Sequence, residues 1–261
     1  EQALSLYNPS VVNVRDLKLT TMKKHMDADP AVRIQYAAKY AQTANYWKYY
    51  IGQSKGLKRL NIQSEKAELE ARFTQWVNAD TDRQSEYGEA LELIEAYYGD
   101  TDASVKGKVY ALEAGLIGSD ISLFAFRFNR MAAGLFSDDE EEITSTQAML
   151  SDYVAGFYRE YDQSTDRDLF VNLMTKFRDD IEAAYHPSFF QLVQDKYKND
   201  FNRYADKMYA NSFLVDADRC AEFIANPSMK KLEKDLAIIV GQSAINTYFA
   251  GMQNPAQEKF D

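Results

Sequence analysis

The sequence predicts an all-α domain, a multi-helix bundle of long antiparallel helices, and three observations carry that prediction. Glycine and proline are sparse, 11 and 5 in 261 residues, and the prolines sit at helix boundaries. Apolar residues recur with the helical spacing i, i+3, i+4, i+7. No sustained period-two run bounded by hairpin turns is present, so no sheet is expected.

Taken in order, residues 1–13 read as an irregular end, and helices are expected near 14–28 and 30–54. Asp29-Pro30 divides these two, with a capping carboxylate before a proline at the first helical position. Helices near 62–79 and 82–98 follow; Thr81-Asp-Arg-Gln84 fits the capping-box pattern, and Tyr87, Ala90, Leu91, Ile94, Tyr97 and Tyr98 make one apolar stripe. The helices near 102–117 and 119–136 come next, the second striped by Ile121, Phe124, Phe128, Met131, Ala132 and Leu135. Ser137-Asp-Asp-Glu140 opens a helix near 138–161 with a second capping box. Phe170, Leu173, Met174, Phe177 and Ile181 stripe 165–185, which stops before His186-Pro187, because a residue preceding proline is pushed out of the helical region. Phe190, Val193, Tyr197, Phe201, Tyr204 and Met208 stripe 188–210. The last pair, 216–225 and 228–250, is divided at Asn226-Pro227, read as a second cap before proline; residues 252–261 are expected to be irregular. Short connections between long helices imply antiparallel neighbours. With no internal repeat and no Ser/Gly/Pro-rich linker, residues 1–261 read as one domain with room for two sub-bundles.

Apolar residues make up 46% and charged residues 27% of the chain, an ordinary globular balance. The formal net charge of −10 repels phosphate backbones and argues against a nucleic-acid partner. No apolar run approaches the ~18–20 residues of a membrane span. The lone Cys220 has no internal disulfide partner. The opening EQALSLYNPS has no initiator Met, basic n-region or apolar h-region, so it does not read as a signal peptide; it reads as the start of a processed product or of a piece of something longer.

Catalytic chemistry is not visible. A hydrolase triad needs a base beside a nucleophile, and the two histidines, His25 and His186, accompany no Gly-rich nucleophile elbow. One cysteine and two distant histidines cannot build a zinc site. Asn78, Asp80, Asp82, Gln84, Glu86 and Glu89 occupy positions 1, 3, 5, 7, 9 and 12 of a calcium-loop frame, but Arg83 stands where the turn requires glycine, so helix capping is the preferred reading. The acidic run Ser137–Glu142 is likewise read as a helix start, where the macrodipole favours carboxylates. No phosphate-binding glycine loop occurs. No catalytic residue, cofactor or metal is therefore expected on this chain.

The segment Tyr36–Gly52 stands apart. On a helix, Tyr36, Tyr40, Trp47 and Ile51 share an apolar face, while Ala38, Ala41, Asn45, Tyr49 and Gly52 form another, narrow at both ends with an amide at its middle. Two readings are open. Asn45 is a buried hydrogen-bonder in close helix packing, or the face admits another chain and offers it the Asn45 carbonyl, a good acceptor for an ammonium group.

The same residues carry a resemblance. Asp27-Ala-Asp-Pro-Ala-Val-Arg-Ile-Gln-Tyr36, continuing through Ala44-Asn-Tyr-Trp-Lys48 to Lys55-Gly-Leu-Lys-Arg-Leu60, resembles the helical domain of the bacterial dipeptidyl-peptidase 7 and dipeptidyl-peptidase 11 family. His186-Pro-Ser-Phe-Phe190, Asn202-Arg-Tyr-Ala-Asp-Lys-Met-Tyr209 and Phe223-Ile-Ala-Asn-Pro-Ser228 extend it in order over nearly the whole chain. The resemblance implies a serine exopeptidase that releases dipeptides from free N-termini. Its Ser-His-Asp triad lies on a chymotrypsin-like double β-barrel, into which the helical domain is inserted as a cap that closes over peptide. It further implies that Asn45 helps bind the substrate's N-terminal amine, that the parent protein is commonly a homodimer, and that it works in the periplasm or at the surface of Gram-negative bacteria. The barrel is absent from this sequence, so no activity is expected of the chain alone. The alternative is a stand-alone helical module that binds a partner protein through the Tyr36–Gly52 face.

Overall fold

The computed structural model describes residues 2–250, and every regular element among them is helical. The main helices are α1 (Asn8–Ala28), α2 (Pro30–Arg59), α3 (Ile62–Asn78), α4 (Thr81–Tyr87), α5 (Ala90–Tyr110), α6 (Asp120–Met131), α7 (Glu140–Tyr158) and α8 (Gln163–Asp180). They continue as α9 (Phe189–Tyr197), α10 (Phe201–Asn211), α11 (Ala217–Ala225), α12 (Met229–Lys234) and α13 (Leu236–Ala250). No single helix among the described residues is long and apolar enough to cross a membrane.

α1 and α2 form a helical hairpin turned at Asp29, whose carboxylate accepts the Ala31 N–H at 2.7 Å, the cap that the sequence indicates. α1 packs on α8 and α5, α13 lies against α6, α7 against α11, and α8 against α10. One large core joins them. Phe170, Phe177, Phe189 and Tyr204 fill it around α8, and Phe124 and Phe128 fill it beside α7. The stripes on 119–136, 165–185 and 188–210 are the main sources of that core.

Several expectations are corrected. Residues 3–7 and α1 are helical, where an irregular end over 1–13 is expected from the sequence. Tertiary partners hold it: Gln2 donates to the Tyr98 carbonyl and to Asp102, and Asn8 donates to Gln53 and Ser54 of α2. Residues 252–261 lie outside the described residues. The break expected after residue 98 is absent, and α5 runs through Gly99; Thr101 and Ser104 satisfy their hydroxyls on the Tyr98 and Thr101 carbonyls within the helix. Helix 188–210 divides into α9 and α10 because Lys198 and Asn199 both take left-handed conformations (φ 57° and 56°), and Asp200 then caps α10. Helix 228–250 divides at Asp235, whose buried carboxylate accepts the N–H groups of Ala237 and Ile238. The caps also move: Asp80, Asp139 and Ser228 cap α4, α7 and α12, in place of Thr81, Ser137 and Asn226. Asp80 is a better acceptor than Thr81 and stands one residue earlier, and Pro227 puts the second boundary two residues later than Asn226.

The Tyr87–Tyr98 stripe is not core. Residues 60–99 project as an arm of α3, α4 and the start of α5, on which Leu69, Trp76, Ile94 and Tyr98 are exposed. Its cohesion is local, with Trp76 packed against Phe73 and Tyr87 and capped by the Arg83 guanidinium.

α13 reaches α6 through Gly241, where an added Cβ would sit 2.8 Å from the Ser122 carbonyl and 2.9 Å from the Phe126 nitrogen. Backbone cannot yield as a side-chain tip can. Gly241→Ala is expected to destabilise the fold by about 1–3 kcal/mol, measured by urea denaturation; an unchanged midpoint would show that α13 can move away from α6 freely.

Candidate functional site

The histidines and the cysteine have structural duties. His25 Nε2 lies 2.9 Å from Asp168 Oδ2, tying α1 to α8, and His186 Nε2 lies 2.7 Å from the Ile181 carbonyl before α9. Cys220 is buried beside the Tyr158 hydroxyl, and burial pushes its thiol up to about 12, which leaves it unreactive near neutrality. The calcium-frame residues are occupied as caps: Asp80 accepts the Asp82 and Arg83 N–H groups, and Gln84 reaches back to Asn78. Among the described residues no group of three or more His, Cys, Asp or Glu side chains is arranged to hold a metal ion.

α2 carries Asn45, the residue that the sequence singles out. Its buried residues, Val32, Tyr36 and Thr43, seat one face on the core, with Tyr40, Ala44 and Trp47 half-buried beside them. Asn45 follows Tyr36 by nine residues, so at ~100° per residue it points about 180° away from that seat. It is exposed, as are Ala38, Ala41, Tyr49 and Gly52. Ile34 extends the row and is 81% exposed, and Tyr49 is 58% exposed. Among the described residues no other helix packs on Asn45, and nothing covers the face. A Cβ at Gly52 would meet nothing within 4 Å. The result is a narrow outward row of small and apolar side chains with one amide at its centre.

The polar root of α2 lies on the other side and was not foreseen. The Tyr36 hydroxyl (2.8 Å) and Lys39 Nζ (2.7 Å) both donate to Asp120 Oδ2 at the start of α6. Lys39 also donates to the Glu160 carbonyl and lies over the Tyr36 ring. Asp120 is itself held by Asp166 of α8: the Asp120 N–H donates to Asp166 Oδ1 at 2.5 Å and the Ile121 N–H to Oδ2 at 3.2 Å. The buried Tyr209 hydroxyl of α10 donates to the same Oδ2 at 2.8 Å. The Tyr161 hydroxyl is buried near this carboxylate, outside hydrogen-bond geometry, on a half-buried side chain. Lys18 of α1 is half-buried nearby, donating to the Ile117 carbonyl, and desolvation lowers its pKa. An open pocket of about 390 Å³ lets solvent reach Lys39 and Asp120 between α6 and α7.

Burial, reinforced by the neighbouring Asp120, raises Asp166 to about 7. An unfolded aspartate releases its proton near about pH 4. Between those values the native state holds the extra proton, so this residue makes stability fall as pH rises from about 4 to 7. Asp166→Asn is expected to gain stability relative to the wild type as pH is raised across that window, read from urea midpoints. A difference independent of pH would contradict the raised value.

The chain is similar to known proteins over nearly its whole length. The family model described as Peptidase S46 matches residues 1–260. The dipeptidyl-peptidase 7 of Porphyromonas endodontalis is 29% identical over 248 residues, covering 94% of this chain and 29% of that protein. The Asp/Glu-specific dipeptidyl-peptidase of Flavobacterium psychrophilum is 26% identical over 250 residues, covering 95% of this chain and 34% of that protein. The chain thus spans about a third of the length of the curated relatives it matches. The crystal structure of Porphyromonas endodontalis DPP11 in complex with dipeptide Arg-Glu superposes with a TM-score of 0.73 at 21% identity, covering 99% of this chain and 36% of that one. That likeness establishes the fold.

Proposed function

The chain belongs to the peptidase S46 family, and from that premise we propose that it is the helical cap domain of a serine dipeptidyl-peptidase, with Asn45 binding the substrate's N-terminal amine. The observation that carries the reading is the exposure of Asn45 at the centre of an otherwise small and apolar outward face. A dipeptide-releasing enzyme must measure two residues from a charged amine, so it needs a polar acceptor at a fixed distance from its nucleophile. The Asn45 carbonyl oxygen accepts from the ammonium, and charge-assisted bonds of this kind are worth about 1.5–3 kcal/mol. Ala38, Ala41 and Gly52 keep the face low enough for a second domain or a peptide backbone to approach, and Ile34 and Tyr49 add apolar surface on either side of Asn45. Closure of such a face over a cleft removes water and strengthens the polar contact that remains.

On this reading the nucleophile, its base and the pocket for the second substrate residue lie on a chymotrypsin-like domain into which this chain is inserted. The parent acts without a cofactor, as a homodimer, in the periplasm or at the surface of a Gram-negative bacterium. The 261-residue chain alone is expected to fold and to cleave no dipeptidyl substrate, whereas the full-length protein cleaves such substrates across a panel. Serine-reagent-sensitive hydrolysis by the purified chain would contradict the assignment. The rival, a stand-alone module that binds a partner protein through the same face, is separated by the reading frame: the cap requires β-rich sequence on both sides, with a histidine upstream and a Gly-rich serine motif downstream.

A further inference from the structure

α2 is 30 residues long, yet only Val32, Tyr36 and Thr43 are buried along it. Its apolar seat is narrow, and apolar contacts resist rolling about the helix axis only weakly. Directional polar contacts hold α2 at two places: Asn8 donates to Gln53 and Ser54 beyond Asn45, and a charged clamp holds its root. Two side chains one turn apart, Tyr36 and Lys39, converge on a single oxygen, Asp120 Oδ2. Asp120 cannot follow them, because its own backbone is pinned by Asp166, which is in turn held by Tyr209. The chain of contacts runs from α10 and α8 through the start of α6 to α2.

Rotation of α2 decides where Asn45 points. On a helix about 10–12 Å across, a roll of about 20° carries an outward amide roughly 2 Å sideways. Misplacement of a binding group by about 1 Å can cost up to about a hundredfold in rate. We propose that Asp120 is the positioning residue for Asn45, fixing the roll and height of α2 through Tyr36 and Lys39 without touching substrate. This rests on the reading of Asn45 as the amine contact.

The test is a double-mutant cycle in the full-length enzyme with a chromogenic dipeptidyl substrate. Asp120→Asn keeps the shape and removes the charge that Lys39 answers. It is expected to lower kcat/KM about tenfold, with the same division between KM and kcat as Asn45→Ala, because both disturb one contact. In the Asn45→Ala background, Asp120→Asn should cost less than about twofold more, because the contact it serves is already gone. Additive losses, or wild-type kinetics in Asp120→Asn, would overturn the proposal and leave Asn45 in place. Wild-type kinetics in Asn45→Ala would overturn both. Should Asp120→Asn fail to fold, Lys39→Met, on a half-exposed side chain, enters the same cycle with the same expected coupling to Asn45.

Discussion

Asn45→Ala in the full-length enzyme is expected to lower kcat/KM for a dipeptidyl substrate by roughly ten- to a hundred-fold, the equivalent of one lost hydrogen bond to a charged group. It should leave the melting temperature of the helical domain unchanged. The two halves of that expectation have separate physical grounds. Asn45 is exposed, and exposed substitutions away from caps and special backbone sites fall within about ±0.5 kcal/mol. On the proposed reading its contribution is made only to a bound substrate. The loss should also depend on the amine: a peptide acetylated at its N-terminus has no ammonium to donate and should gain nothing from Asn45 over alanine. Unaltered kinetics with free-amine peptides would remove Asn45 from the site.

Phe124→Ala is expected to cost about 3–5 kcal/mol, the range for emptying a large aromatic site in a core that relaxes only in part. Phe124 is 1% exposed. Its ring stacks on Phe157 with centroids 3.8 Å apart and planes inclined by 9°, and on Tyr153 at 5.2 Å, so α6 and α7 meet across it. Phe128, one turn on, touches Phe213 and Phe223 and extends the same aromatic layer toward α11. In a domain of this size the loss amounts to a fall in melting temperature on the order of 10 °C. Ile34→Ala is the matching control, since Ile34 is 81% exposed and should shift stability by less than about 0.5 kcal/mol. A loss below about 1 kcal/mol at Phe124 would mean that the aromatic layer is not what joins α6 to α7.

Much of this architecture was legible because helical periodicity is a local signal. The stripes from Ile121 to Leu135 and from Phe170 to Ile181 became core as expected, since apolar residues at that spacing leave a helix one face to bury. Periodicity does not report breaks that preserve phase. Lys198 and Asn199 interrupt one helix while leaving Phe190 and Phe201 in the same core, and Asp235 interrupts another inside an apolar run. Nor does it report what a stripe will meet. Tyr87, Ile94 and Tyr98 have the same spacing as core residues but lie on a projecting arm. The outward face of α2 was visible as a pattern, with Asn45 at its centre, but burial or exposure of that face depends on neighbours far away in sequence. The anchor beneath it was invisible for the same reason. Tyr36, Asp120, Asp166 and Tyr209 are spread over most of the chain, and in the sequence Asp120 and Asp166 look like ordinary first-turn carboxylates.

One contact decides the proposed function, and a crystal structure of the full-length enzyme with a bound dipeptide measures it directly. The Asn45 side-chain oxygen should lie about 3 Å from the dipeptide's N-terminal nitrogen, within hydrogen-bond reach, with the Ile34–Gly52 face turned toward the ligand. A dipeptide seated in the cleft while Asn45 faces bulk solvent, or with its amine held wholly by other residues, would contradict the account.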